Sequence, residues 1–176
     1  MNTTSKERAQ GPGTGAEQRL KDLGIRLPEP PEPFGIYAMS VQSGSQLFLT
    51  GMLPTRGHTP QSVGRLGAEL DADAARESAR VAVLNALALV RKQLGSLDRV
   101  VRIVRLGVFV ATVGDVREHP KVADGASVLL QDVFGKASNP SRVVVGVASL
   151  PLGVPVELDL IFEVTNSGGP DGPTEG

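Results

Sequence analysis

The feature that most limits how this chain can fold is a one-sided stripe. Ala75, Ala79, Val83, Ala86, Leu87, Val90 and Leu94 recur at helical spacing, while Arg76, Glu77, Arg80, Arg91 and Lys92 occupy the other faces. Asp71 or Asp73 suits the start of such a helix, because a short carboxylate accepts from free amides there and answers the helix dipole. A helix with a single apolar stripe needs a flat apolar surface beneath it. The chain supplies one directly afterwards: RVVRIVRLGVFVAT, from Arg99 to Thr112, is β-branched and mostly apolar and reads as a central strand.

The remaining segments fit around that pair. IYAMSVQSGSQLFLTGMLP reads as a hairpin: Tyr37, Met39 and Val41 alternate with polar or small residues, SGS turns the chain, and Gln46 to Met52 returns. TRGHTPQSVGRLG is a polar loop. Pro120 opens a second helix with the stripe Val122, Ala126, Leu129, Leu130 and Val133, stopped by Gly135. NPSRVVVGVASLPLGVPVELDLIFEV holds two more strands around a Pro/Gly turn. The order strand, strand, helix, strand, helix, strand, strand predicts an α+β sandwich with both helices on one face of a mixed sheet.

The ends differ in character. Residues 1–33 read as a flexible extension in which AEQRLKDLGIRL forms a short helix, with Leu20 and Leu23 inward and Gly24 as its stop, before PEPPEP imposes extended chain. One domain is expected over 34–166, starting near Phe34, and a disordered tail over 167–176. The net charge of −1 gives no basic field for nucleic acid, and no apolar run is long enough to cross a membrane. With no cysteine, disulfides, thiolate metal sites and a cysteine nucleophile are excluded. That composition is compatible with a reducing cytoplasm, the expected location. His58 in a glycine-rich loop and His119 before a proline read as solvated loop histidines, so neither a metal site nor a serine triad is expected.

Two charges stand out in the last pair of strands. Arg142 shares a face with Val144, Gly146 and Ala148, while Val143, Val145 and Val147 take the other. In the final strand Val156, Leu158, Leu160 and Phe162 form the apolar face, and Glu157, Asp159 and Glu163 oppose it. Both charges read equally as the wet side of a sheet. If the two strands made a tight hairpin, Arg142 would lie opposite about Glu163, roughly 20 Å from Glu157. The two could share a site only through a different connection or a second subunit.

SRVVVGVASLPLGVPVELDLIFEV resembles the C-terminal signature of the RidA (YjgF) family of enamine/imine deaminases, called endoribonuclease L-PSP in older naming. Arg142, Leu150, Pro151 and Glu157 stand in the places of its motif. FLTGMLP resembles the family's strand-end segment, Tyr37 matches its aromatic before Gly51, and AARESARVAVLNALALVRKQLGSLDRVVRIVRLGVFV resembles its long helix and following strand. The resemblance covers about residues 34–164. It implies a chorismate-mutase-like fold, a homotrimer with clefts between subunits, and hydrolysis of 2-enamino or 2-imino acids to 2-keto acids and ammonia without a cofactor. In that reading Arg142 grips the substrate carboxylate, Glu157 activates water and moves protons, Gly51 allows close approach and Tyr37 forms a wall. Two substrate-lining places depart from the pattern: Val144 stands where many members have a cysteine, and Gly125 where many have an asparagine. The alternative is a non-catalytic trimer that binds a small carboxylate in the same cleft. A ribonuclease is disfavoured by the near-neutral charge and the absence of an aromatic and basic surface.

Overall fold

The computed structural model describes residues 15–165. Three helices, α1 (Ala16–Asp22), α2 (Ala72–Leu94) and α3 (His119–Phe134), accompany seven strands: β1 (Ser40–Ser43), β2 (Gln46–Leu49), β3 (Thr55–Arg56), β4 (Thr59–Pro60), β5 (Val100–Ala111), β6 (Ser141–Val147) and β7 (Val156–Val164). Five strands form one mixed sheet in the order β1-β2-β7-β5-β6, and β3 and β4 make a small separate ribbon inside the polar loop.

The stripe of α2 is buried along its length, as the pattern predicts, and Asp71 provides the cap by accepting from the Ala74 amide at 2.8 Å. Beneath α2 and α3 lie Leu106, Val108 and Val110 of β5 and Val156, Leu158, Leu160 and Phe162 of β7, all fully buried. Gly125 explains how closely the helices pack. A β-carbon there would come within 2.8 Å of the Arg76 Cγ and overlap the Arg76 carbonyl, so only glycine lets α3 rest on α2.

The last two strands do not form a hairpin. β5 lies between them, parallel to β6 and antiparallel to β7. Of the two connections the sequence leaves open, a tight hairpin or another path, the Pro/Gly segment takes the second: its 3-10 turn at Pro151–Gly153 carries the chain across the end of β5.

The compact body begins earlier than Phe34. Ala16 and Leu20 are buried in the main core, and α1 is tied to the body through Glu17, which accepts from Arg91 Nε at 3.0 Å and from the Leu97 amide at 2.9 Å. Leu20 points inward as expected but Leu23 does not: the helix ends at Asp22, and Leu23, beyond its last turn, is exposed. The flexible extension expected before residue 15 and the disordered tail expected over 167–176 lie outside the described residues.

No helix among the described residues is long and apolar enough to cross a membrane. His119 is not a loop residue. It starts α3, and its Nε2 is enclosed without a hydrogen-bond partner among the described residues, where Gly146 leaves room for the ring. His58 is exposed in the turn between β3 and β4, its ring 4.7 Å from that of Phe34.

Candidate functional site

A cavity of about 380 Å³ opens beside the end of β2. Its construction begins with one surplus residue. Phe48 pairs with Ile161 and Met52 bridges Leu158, so four steps along β2 and its extension face three along β7. The extra residue bulges the chain at Thr50–Gly51, and Met52 rejoins β7 through two hydrogen bonds with Leu158, of 2.8 and 3.0 Å. The bulge sets Gly51 against Glu157.

Behind that bulge stands Asn85, a buried amide in α2 that donates to the carbonyls of Leu53 and Thr55, at 2.8 Å each. An amide inside a buried helix face needs such partners, and these hold the cavity wall at Leu53 and Thr55. The segment Pro31–Tyr37 passes over the other side. Its shape is held by the Phe34 amide donating to the Tyr37 hydroxyl at 2.9 Å.

Three carboxylates project from the open face of β7, and only one lacks a partner. Asp159 meets Arg105 at 3.0 Å and Glu163 meets Arg102 at 2.8 Å, both arginines on β5. Glu157 lies opposite Phe109 and has no hydrogen-bond or charge partner among the described residues. Burial therefore pushes its carboxyl above the ordinary glutamate range, with nothing to offset it. A half-buried, unpaired carboxylate in an apolar cavity can remove a proton from water and return it near neutral pH.

Of the residues expected at the site, the chain brings Tyr37, Gly51 and Glu157 together around this cavity. Arg142 lies elsewhere. It sits opposite Leu106 on the helix side of edge strand β6, whereas Glu157 is opposite Phe109 on the open side of β7. The separation is two strands and three residues, about 14 Å. The Arg142 Nη1 donates to Asp124 at 2.7 Å and to Ser127 at 2.9 Å, both on α3, and the rest of the guanidinium has no partner among the described residues. Val144 packs against the core from β6, and Gly125 belongs to the α2–α3 contact, so neither lines the cavity that holds Glu157. Phe34, Leu152 and Asn85 are not among the residues that the sequence assigns to the site. Asn85 carried a signal of its own, being a polar residue amid a buried apolar helix.

Among the described residues, no three His, Cys, Asp or Glu side chains lie together as a metal site.

These elements define a known class: the chain belongs to the YjgF/chorismate mutase-like family, whose model matches residues 17–164. It is 40% identical over 148 residues to Protein TCP17 of Trypanosoma cruzi, covering 84% of this chain and 92% of that protein. It is 28% identical over 140 residues to the 2-iminobutanoate/2-iminopropanoate deaminase of Dermatophagoides farinae, covering 80% of this chain and 94% of the other. Among solved structures, the protein Atu1372 of Agrobacterium tumefaciens, described as of unknown function, superposes with a TM-score of 0.78 at 35% identity over 85% of this chain and 92% of that one.

Proposed function

We propose that the protein is a hydrolytic deaminase of 2-imino acids and their enamine tautomers, working as a homotrimer without a cofactor. The observation that carries this reading is the unpaired carboxylate of Glu157, raised in pKa by burial and set against Gly51 in a cavity able to take a small acid. Kinship with an imine deaminase supports it.

In the reaction, a water oxygen bonds to the imine carbon and the C=N π pair moves to nitrogen. Glu157 takes the proton from that water and delivers it to the nitrogen. The tetrahedral adduct then collapses: Glu157 takes the remaining hydroxyl proton and passes it to the amino nitrogen, the C–N bond breaks as the carbonyl forms, and ammonia leaves the 2-keto acid. Water is the only co-reactant.

The substrate carboxylate needs a cation that the cavity of one chain lacks. Arg142 is the candidate, contributed by a neighbouring copy. Asp124 and Ser127 hold one arm of its fork, leaving Nε and Nη2 to grip a carboxylate at two points. Two features favour assembly through the sheet: β6 is an edge strand, and Val41, Phe48, Val143 and Val145 leave apolar surface exposed on the open side. We place this chemistry in the cytoplasm, as suits a chain without cysteine.

The test is purified protein with 2-imino acids generated in place by an amino-acid oxidase, following keto acid and ammonia. Hydrolysis above the spontaneous rate supports the deaminase. Tight keto-acid binding without turnover would make the protein a carboxylate-binding module instead.

A further inference from the structure

We infer that this site selects 2-imino acids with a bulky apolar side chain, branched or aromatic, over those of three or four carbons. The inference rests on the deaminase reading and adds the class of substrate.

Three observations carry it. The first is size. The cavity measures about 380 Å³, within the range that accommodates drug-sized ligands. A three-carbon imino acid would leave much of it without contacts.

The second is the lining. Away from Glu157 and Gly51 most of the lining is apolar, with Phe34, Tyr37 and Leu152 among it, while Thr50 and Thr55 add hydroxyls and Glu32 is the one other charged residue. Phe34, Tyr37 and Leu152 are exposed large apolar side chains, and all three gather at this cavity. An apolar substituent covering them would release the water they now order.

The third is the backbone at Leu152. It is the one non-glycine among the described residues with positive φ, +58°, in the left-handed region that disfavours any β-carbon. A glycine would sit there without strain. The chain instead holds a leucine in that conformation, half-exposed, with its side chain on the cavity. Strain kept in this way at a ligand site fits a side chain retained for what it touches.

The geometry gives a direction to the bound molecule. The imine carbon lies by Glu157, the carboxylate faces the neighbouring copy, and the side chain extends over Leu152 toward Phe34. Each methylene it places against these walls adds selectivity, of order tenfold or more in a well-formed apolar pocket.

The experiment compares kcat/KM of the full chain for the imino acids of alanine, leucine and phenylalanine, each generated in place by an amino-acid oxidase. Leucine- or phenylalanine-derived substrate should exceed the alanine-derived one by at least about tenfold. Leu152→Gly, which relieves the strained backbone as it removes the side chain, and Phe34→Ala should each close most of that gap while leaving the oligomeric mass unchanged. Equal or better turnover of the alanine-derived substrate would overturn the inference and leave the deaminase standing. So would variants that keep the selectivity, or that change the oligomeric mass, because Phe34 and Leu152 would then be contacts between copies. No turnover of any imino acid would remove the deaminase reading, and this inference with it.

Discussion

Glu157 lies across Gly51 so closely that a β-carbon at residue 51 would overlap its carboxylate and stand 2.8 Å from its Cδ. Gly51 lies outside the left-handed region, so alanine there meets no backbone penalty, and the nearest conflict is with Glu157. Gly51→Ala should push the carboxylate out of place and lower kcat at least about tenfold, as small displacements of a catalytic group do. Thermal unfolding should shift little, because residue 51 is exposed. Unchanged turnover would show that the placement of Glu157 is irrelevant to the reaction.

The same carboxylate makes stability depend on pH. Burial raises the Glu157 pKa in the folded chain above its unfolded value. Below the ordinary glutamate pKa of about 4.3 it is protonated in both states, and its burial carries no charge penalty. As pH rises the unfolded chain releases its proton first, so stability falls through the window between the unfolded and the raised folded value. Glu157→Gln stays neutral throughout. At pH 7 this variant should melt above wild type, and the gain should vanish below pH ~4. In the same protein the acid limb of kcat/KM should lie above the ordinary glutamate value and disappear with the substitution.

Arg142 should matter to the reaction and little to the fold. Its side chain meets α3 from an edge strand and is not enclosed. Arg142→Ala removes the charge, and Arg142→Lys keeps it without the planar fork. Each should reduce kcat/KM by roughly tenfold to a hundredfold, the equivalent of a lost charge-assisted hydrogen bond of about 1.5–3 kcal/mol. Circular dichroism and the melting temperature should remain near wild type. Wild-type kinetics in Arg142→Lys would argue that no fork holds the substrate.

Asn85 should show the opposite balance. Its buried amide satisfies two carbonyls of the cavity wall. Asn85→Leu strands both and should cost about 1–3 kcal/mol, measured by urea unfolding. A loss below about 0.5 kcal/mol would mean that water takes over those carbonyls.

The sequence carried the layers of the fold well, because the periodicity of α2, α3 and β7 reports one buried face each. Alternation alone put Val156, Leu158, Leu160 and Phe162 on one face of β7, and all four are fully buried. It could not tell Glu157 from Asp159 and Glu163, because the difference lies in the neighbouring strand: arginines answer the latter two, and Phe109 stands beside Glu157. Strand order was hidden for a similar reason. Adjacent segments suggest a hairpin, and the insertion of β5 between β6 and β7 follows from long-range pairing that local pattern does not encode. The burial of α1 was missed because Ala16 and Leu20 are too few to mark a stripe, and its anchor, Glu17 on Arg91, joins residues far apart in the chain.

The central claim is a site that takes Glu157 from one copy and Arg142 from the next, and mixed oligomers test it most directly. Glu157→Gln and Arg142→Ala chains, carrying different affinity tags, are co-expressed and purified through both tags, and their hydrolysis of 2-imino acids is compared with each variant alone. In a trimer containing both kinds of chain, one of the three clefts pairs an intact Glu157 with an intact Arg142, so activity should return to about a third of wild type. A mixed oligomer as inactive as its parents would contradict a site shared between copies.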